Sequence, residues 1–136
     1  MKYFELANFS SCLFMTGVIW LIQLVHYPSF HYIHLKKFKS FCNFHQKSIT
    51  YIVFPAMLIE LISSIALLLH NSSSLLLWVN LISVSATWFF TIFFSMPLHS
   101  KLLEHKSKEV INKLIYTNWP RTITWSFRSL LLSYFF

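Results

Sequence analysis

Four long apolar runs alternate with short polar or basic stretches along this chain. They extend roughly from Phe9 to Tyr27, Ile49 to Leu69, Leu75 to Met96 and Trp119 to Phe136. Each is about 18 to 22 residues, the length a helix rising 1.5 Å per residue needs to cross ~30 Å of hydrocarbon. A helix is the open-chain structure that satisfies its own backbone in lipid. The pattern predicts an all-α fold, a four-helix transmembrane bundle running up-down-up-down, in a single integral membrane domain over residues 1–136. The first run ends in "QLVHYPSF" without a small-x-small cleavage site, so it reads as a retained helix rather than a signal peptide.

The connections carry their own periodicity. Between the first two runs, Phe30, Phe38 and Phe41 recur at helical spacing, with Lys36, Lys39 and Asn43 roughly opposite. This predicts an amphipathic surface helix that can continue into the second span. In "KSKEVINKLIYTN", Val110, Ile111, Leu114 and Ile115 oppose Lys108, Glu109, Asn112 and Lys113, which predicts a second short interfacial helix. Pro28, Pro97 and Pro120 are expected where the chain changes direction at the membrane boundary, and Pro55 inside the second span, as a kink.

Composition agrees with a membrane protein. Hydrophobic residues make up 56 % of the chain and charged residues 11 %, against about a quarter charged in soluble domains. A single glycine, Gly17, leaves no phosphate-cradling loop. The net charge of +7 is concentrated in two connections: Lys36, Lys37, Lys39 and Lys47 in one, and Lys101, Lys106, Lys108, Lys113 and Arg121 in and after the other. The helix 2–3 connection, "HNSSS", has no basic residue. The positive-inside rule then puts the basic connections in the cytoplasm and both termini outside, in a bacterial inner (plasma) membrane. Anionic lipid headgroups are the expected partners of such loops, and nucleic acid is not needed to explain the charge. Cys12 and Cys42 fall near opposite membrane faces, too far apart for a disulfide.

Polar residues within the runs share faces. At 100° per residue, Asn118, Arg121, Thr122, Trp125, Arg128 and Ser129 fall within roughly 120°, opposite Ile123, Phe127, Leu130 and Tyr134. Such a stripe turns to the bundle interior, because the other choice is lipid. Asn118 is placed to cap the fourth helix, with Pro120 in its first turn. Asn80, Ser83, Thr87, Thr91 and Ser95 form a milder stripe on helix 3, suited to close helix contact. Glu60 and Arg128 sit at similar depths, which predicts an ion pair sharing a network with Ser63, Ser64 and Asn80. These two are the candidate catalytic or proton-relay groups; a purely structural register pair is the competing reading. On helix 1, Thr16, Trp20, Gln23 and Tyr27 are expected to face inward.

Three histidines mark helix ends on the basic side: His26, His45 and His99. They are the candidate metal ligands, for haem or for a transition metal such as copper, iron or zinc. Arg121, at the expected positive end of helix 4, would hold an anionic group. Trp20, Gln23, Tyr27, Asn118 and Trp125 complete the candidate cofactor-binding set. No HExxH-type spacing is present, and histidine is common at membrane interfaces for its half-wet ring. His31, His34 and His105 read as surface residues.

The strings "WLIQLVHYPSF", "FHQKSITYIVFPAMLIEL", "MPLHSKL" and "NWPRTITWSFRS" together resemble a group of small bacterial four-helix membrane proteins of no established function. The resemblance covers nearly the whole chain. It implies a shared core that includes Trp20, Gln23, His26, His45, Glu60, His99, Asn118, Arg121, Trp125 and Arg128, and no particular reaction. In size and helix number the chain is also similar to the anthrone-oxygenase-like membrane proteins. In the histidine closing helix 1 it is similar to the small membrane protoporphyrinogen oxidase, a haem protein. Two main readings follow: a haem- or metal-dependent membrane oxidoreductase, and a non-catalytic binding or transport module for an amphipathic anion such as a lipid or quinone headgroup. A structural helper of a membrane complex is the third.

Overall fold

The computed structural model of the protein describes residues 1–135. Four helices follow one another: α1 Lys2–Tyr32, α2 Leu35–His70, α3 Leu75–Glu104 and α4 Lys108–Phe135. Only residues 33–34, 71–74 and 105–107 separate them. Among the described residues there is no strand. Helices α1, α2 and α3 are long and apolar enough to cross a membrane. Helix α4 has the length but not the hydropathy, because Arg121, Arg128 and their polar neighbours interrupt its apolar residues.

The prolines do not mark the turns. All four lie inside helical structure. Pro28 and Pro97 each follow a π-helical turn, Ile22–His26 and Thr91–Ser95 respectively. A proline has no N–H for the carbonyl four residues back and its ring crowds that carbonyl. Here those carbonyls belong to Leu24 and Phe93, both within the π turns, where the wider helix makes room. The chain reverses instead at the short connections. His34 starts α2 in extended conformation and accepts a hydrogen bond from the Lys36 N–H at 3.3 Å.

Two expectations about the connections meet different outcomes. The amphipathic segment before the second span is continuous with it, as one helix over Leu35–His70. The segment after Ser107 is not a separate interfacial helix. It is the first part of α4, which runs through Asn118 and Pro120 without a break. Asn118 therefore caps nothing, and Arg121 does not sit at a helix N-terminus. The reason is periodicity. Ile111, Leu114, Asn118, Arg121, Trp125, Arg128 and Leu132 are all buried on one unbroken stripe, and one missing proline N–H is too small a loss to end it.

The core is layered. At one end, Tyr27, Phe30, Phe38, Cys42, Leu98, Leu102, Ile111 and Leu114 pack together. A middle cluster joins Cys12, Met15, Ile19, Ala56, Met57, Trp125 and Leu132. Leu67, Leu68 and Leu77 form a third. Two groups of buried polar side chains lie among these apolar clusters: on α2, for example, Glu60, Ser63 and Ser64 fall between Met57 and Leu67. Cys12 and Cys42 are both free and buried. Across the α1–α4 seam, Thr16 and Ser129 share a hydrogen bond of 2.6 Å, and the Thr16 hydroxyl also reaches the Trp125 carbonyl at 3.1 Å. Such small polar residues allow close helix approach.

Candidate functional site

The deeper polar group is built around an ion pair. Arg128 Nη1 lies 2.8 Å from Glu60 Oε1, and both side chains are fully buried. Residues of α1, α3 and α4 surround the pair, and Arg128 Nη2 is left without a hydrogen-bond partner. From α3, Asn80 accepts from Arg128 Nε at 3.1 Å. From α4 itself, the Trp125 indole N–H reaches both Glu60 oxygens, at 3.2 and 3.0 Å. From α1, Asn8 Nδ2 donates to Ser63 and Ser64 Oγ, both at 2.8 Å, and to the Glu60 carbonyl at 3.1 Å. Asn80 Nδ2 closes the ring with bonds to Asn8 Oδ1 at 3.1 Å and Ser64 Oγ at 3.0 Å. Removing two charges from water costs several kcal/mol per ion, and short charge-assisted bonds of this kind are what offset it.

The second polar group lies about two helical turns away along α4, roughly 10 Å from Arg121 to Arg128 at 1.5 Å per residue. Arg121 is 4 % exposed. Its Nη1 donates to Ser95 Oγ and Asn118 Oδ1, both at 3.0 Å. Asn118 Nδ2 and the Thr122 hydroxyl both donate to Gln23 Oε1, at 2.8 and 3.2 Å, and Gln23 Nε2 bonds the Ile115 carbonyl at 3.1 Å. Below the guanidinium lies the Trp125 ring, with its centroid 5.3 Å away, a cation–π contact. Among the described residues Arg121 meets no carboxylate, and its Nε has no hydrogen-bond partner.

The histidines complete this layer. His26 and His45 have ring centroids 4.0 Å apart, and His45 and His99 5.5 Å apart. His99 Nε2 lies 3.1 Å from the Tyr27 hydroxyl, and that hydroxyl lies beside Arg121 as well. Phe30 packs edge-on against His26, His45 and His99. His26 Nε2 and His99 Nδ1 are buried without partners. The three imidazoles from α1, α2 and α3 thus meet beside an arginine from α4. Among the described residues, however, no group of three or more His, Cys, Asp or Glu side chains is arranged to hold a metal ion. A flat macrocycle has no room between His26 and His45, whose rings are in contact. The spacing of His45 and His99 suits two ligands of one ion better than that of His26 and His45.

The candidate residues divide by position. Gln23, Tyr27, Asn118, Arg121, Trp125, His26, His45 and His99 come together in the one layer, and Glu60 and Arg128 in the other. Trp20 stands apart. It is 39 % exposed on the outer α1–α4 seam, where its N–H donates to Ser126 Oγ at 3.0 Å and its ring meets Trp119 edge-on at 5.9 Å. Two residues carry more than their positions in the sequence suggested. Asn8, fully buried, lies just before the first apolar run. Extending the stripe of Cys12, Met15 and Ile19 back by one turn would have reached it. Lys106 donates to the carbonyls of His31 and Ile33, at 2.9 and 2.7 Å, and ties the end of α1 to the start of α4. Nothing in the local sequence distinguishes it from the other lysines.

No family model matches this chain, and no curated protein or solved structure matches it.

Proposed function

We propose that this chain is an integral membrane protein that crosses a bacterial inner membrane four times, up-down-up-down, and binds an amphipathic anion in the layer around Arg121. The basic connections lie in the cytoplasm and both termini outside, which sets the site near the cytoplasmic face. Insertion is supported by what the helices present outward. Of the most apolar stretches of α1, α2 and α3, only 28 %, 39 % and 22 % is buried inside the bundle. A soluble protein rarely exposes apolar surface on that scale. On α4 the outward face is Ile123, Phe127 and Leu130, so its polar stripe is hidden from lipid.

The observation that carries the binding proposal is Arg121: a buried guanidinium bonded to neutral groups and, among the described residues, to no carboxylate. A lone buried cation is several kcal/mol unfavourable. An anion beside it, within reach of Tyr27 and His99, removes that cost. The test is thermal stabilisation of the purified protein in mild detergent by amphipathic anions, compared with uncharged analogues of the same tail. The expected result is a saturable rise in Tm with the anions that Arg121→Gln abolishes. Equal shifts for charged and uncharged compounds would count against the reading.

The approach of His45 to His99 favours a second reading, in which the layer holds a redox metal and the protein is a membrane oxidoreductase. His45 and His99 would be two of its ligands, with His26 beside them. An absorption spectrum and metal analysis of protein expressed with added iron, copper or zinc decide it. Stoichiometric metal or haem that His99→Ala removes would establish it.

A further inference from the structure

We infer that the anion at Arg121 is the carboxylate head of a long-chain acid, whose tail lies in a groove between α3 and α4. This rests on the anion-binding reading above and narrows it. Three observations carry it.

The first is charge. Among the described residues the buried ions are Arg121, Arg128 and Glu60, which leaves one positive charge unbalanced. A carboxylate supplies one negative charge. A phosphate monoester brings about −1.5 to −2 and would overshoot.

The second is the small number of spare polar atoms. In this layer the Arg121 Nε donor is unpartnered, as are the ring nitrogens His99 Nδ1 and His26 Nε2, each of which donates in only one tautomer; Arg128 Nη2 is unpartnered in the deeper layer. The walls are closed by Tyr27, Ser95 and Arg121 itself, at 3 %, 4 % and 4 % exposure. Two acceptor oxygens match so few donors better than the larger oxygen set of a phosphate.

The third is an exit for a tail. A groove of about 400 Å³ opens on the outer side of the α3–α4 contact, lined by Phe90, Phe94, Tyr116, Trp119, Pro120 and Ile123. Phe94 immediately precedes Ser95, and Pro120 immediately precedes Arg121. Neither Ser95 nor Arg121 lines the groove; their hydrogen bond, 3.0 Å long, joins the same two helices one residue further along each. Ser95 ends the π turn Thr91–Ser95, and π turns recur at functional sites. A chain in this groove would sit at the hydrocarbon surface while its head displaced Ser95 as the partner of Arg121.

The test uses the whole protein in detergent or nanodiscs with a radiolabelled long-chain fatty acid. The alcohol and the phosphate monoester of the same chain serve as competitors. The expected result is one saturable site per chain. The alcohol should bind roughly tenfold to a hundredfold more weakly, the range of a charge-assisted hydrogen bond, and Arg121→Gln should lose affinity by a similar factor. Phe94→Trp, which fills the groove without touching a polar group, should weaken the fatty acid at least severalfold. The comparison of acid with alcohol needs no variant, so misfolding of Arg121→Gln cannot obscure it.

Arg121-dependent binding of the phosphate ester without the fatty acid would overturn this inference and leave the anion site standing. Fatty acid uptake indifferent to the head group and to both variants is partitioning, and would overturn it. No saturable binding of any of the three would overturn both.

Discussion

Trp125 holds Arg121 and Glu60 on two sides of a single indole: its ring carries the guanidinium 5.3 Å from its centroid, and its N–H donates to Glu60 Oε2 at 3.0 Å. The two polar layers of the bundle are therefore joined by one side chain.

Trp125→Phe separates these roles. Phenylalanine keeps an aromatic face for Arg121 but cannot donate to Glu60. The expected outcome is a loss of about 1–3 kcal/mol in stability, the cost of a buried charged acceptor losing a donor. Trp125→Leu, which loses the cation–π contact too, should be lower still. Thermal unfolding of the purified variants in the same detergent measures both, and equal values would show that the ring face contributes nothing.

Removing one member of the Glu60–Arg128 pair should be far worse than replacing both. Glu60→Gln leaves Arg128 buried without a counter-ion, its partners now neutral amides, and a stranded buried charge typically costs about 3–5 kcal/mol. The double variant Glu60→Leu, Arg128→Met strands no charge and should recover much of that loss. A double variant as unstable as the sum of the two single ones would mean that the pair does not act as a unit.

Asn8→Ala should reveal the tie between α1 and the α2–α3 pair. Asn8 is the shared partner of Ser63, Ser64 and Asn80. Its loss should cost about 1–3 kcal/mol. The double variant Asn8→Ala, Ser64→Ala should cost less than the sum, because both remove the same bond. Strict additivity in unfolding measurements would show that the network is a set of independent contacts.

Topology can be read from labelling. In a background with Cys12 and Cys42 replaced by alanine, Ser73→Cys in the α2–α3 connection should react with a membrane-impermeant maleimide on intact cells. Lys39→Cys, exposed near the start of α2, should react only after the membrane is opened. The reverse pattern would invert the orientation and move the Arg121 layer to the outer face.

The four-helix content and the inward stripe of α4 were legible because apolar and polar side chains segregate to opposite helix faces. Ile123, Phe127 and Leu130 outside, with Asn118, Arg121, Trp125 and Arg128 inside, follow from 3.6 residues per turn alone. The Glu60–Arg128 contact was legible for a related reason: a scarce acid and a scarce arginine at matching depth have few other ways to lower their cost.

Local pattern could not reveal where helices end. Pro28, Pro97 and Pro120 look like stops, yet tertiary packing carries the helices through them, with π turns ahead of two. Nor could it reveal the role of Lys106 or the bridge from Trp125 to Glu60, because each acts on residues dozens of positions away. Sequence by itself determined which faces had to hide, since transfer free energy belongs to each side chain. Only the tertiary structure decided which hidden groups are satisfied and which, like Arg121 Nε, are left without a partner, since a hydrogen bond depends on where two distant chain segments meet to within a few tenths of an ångström.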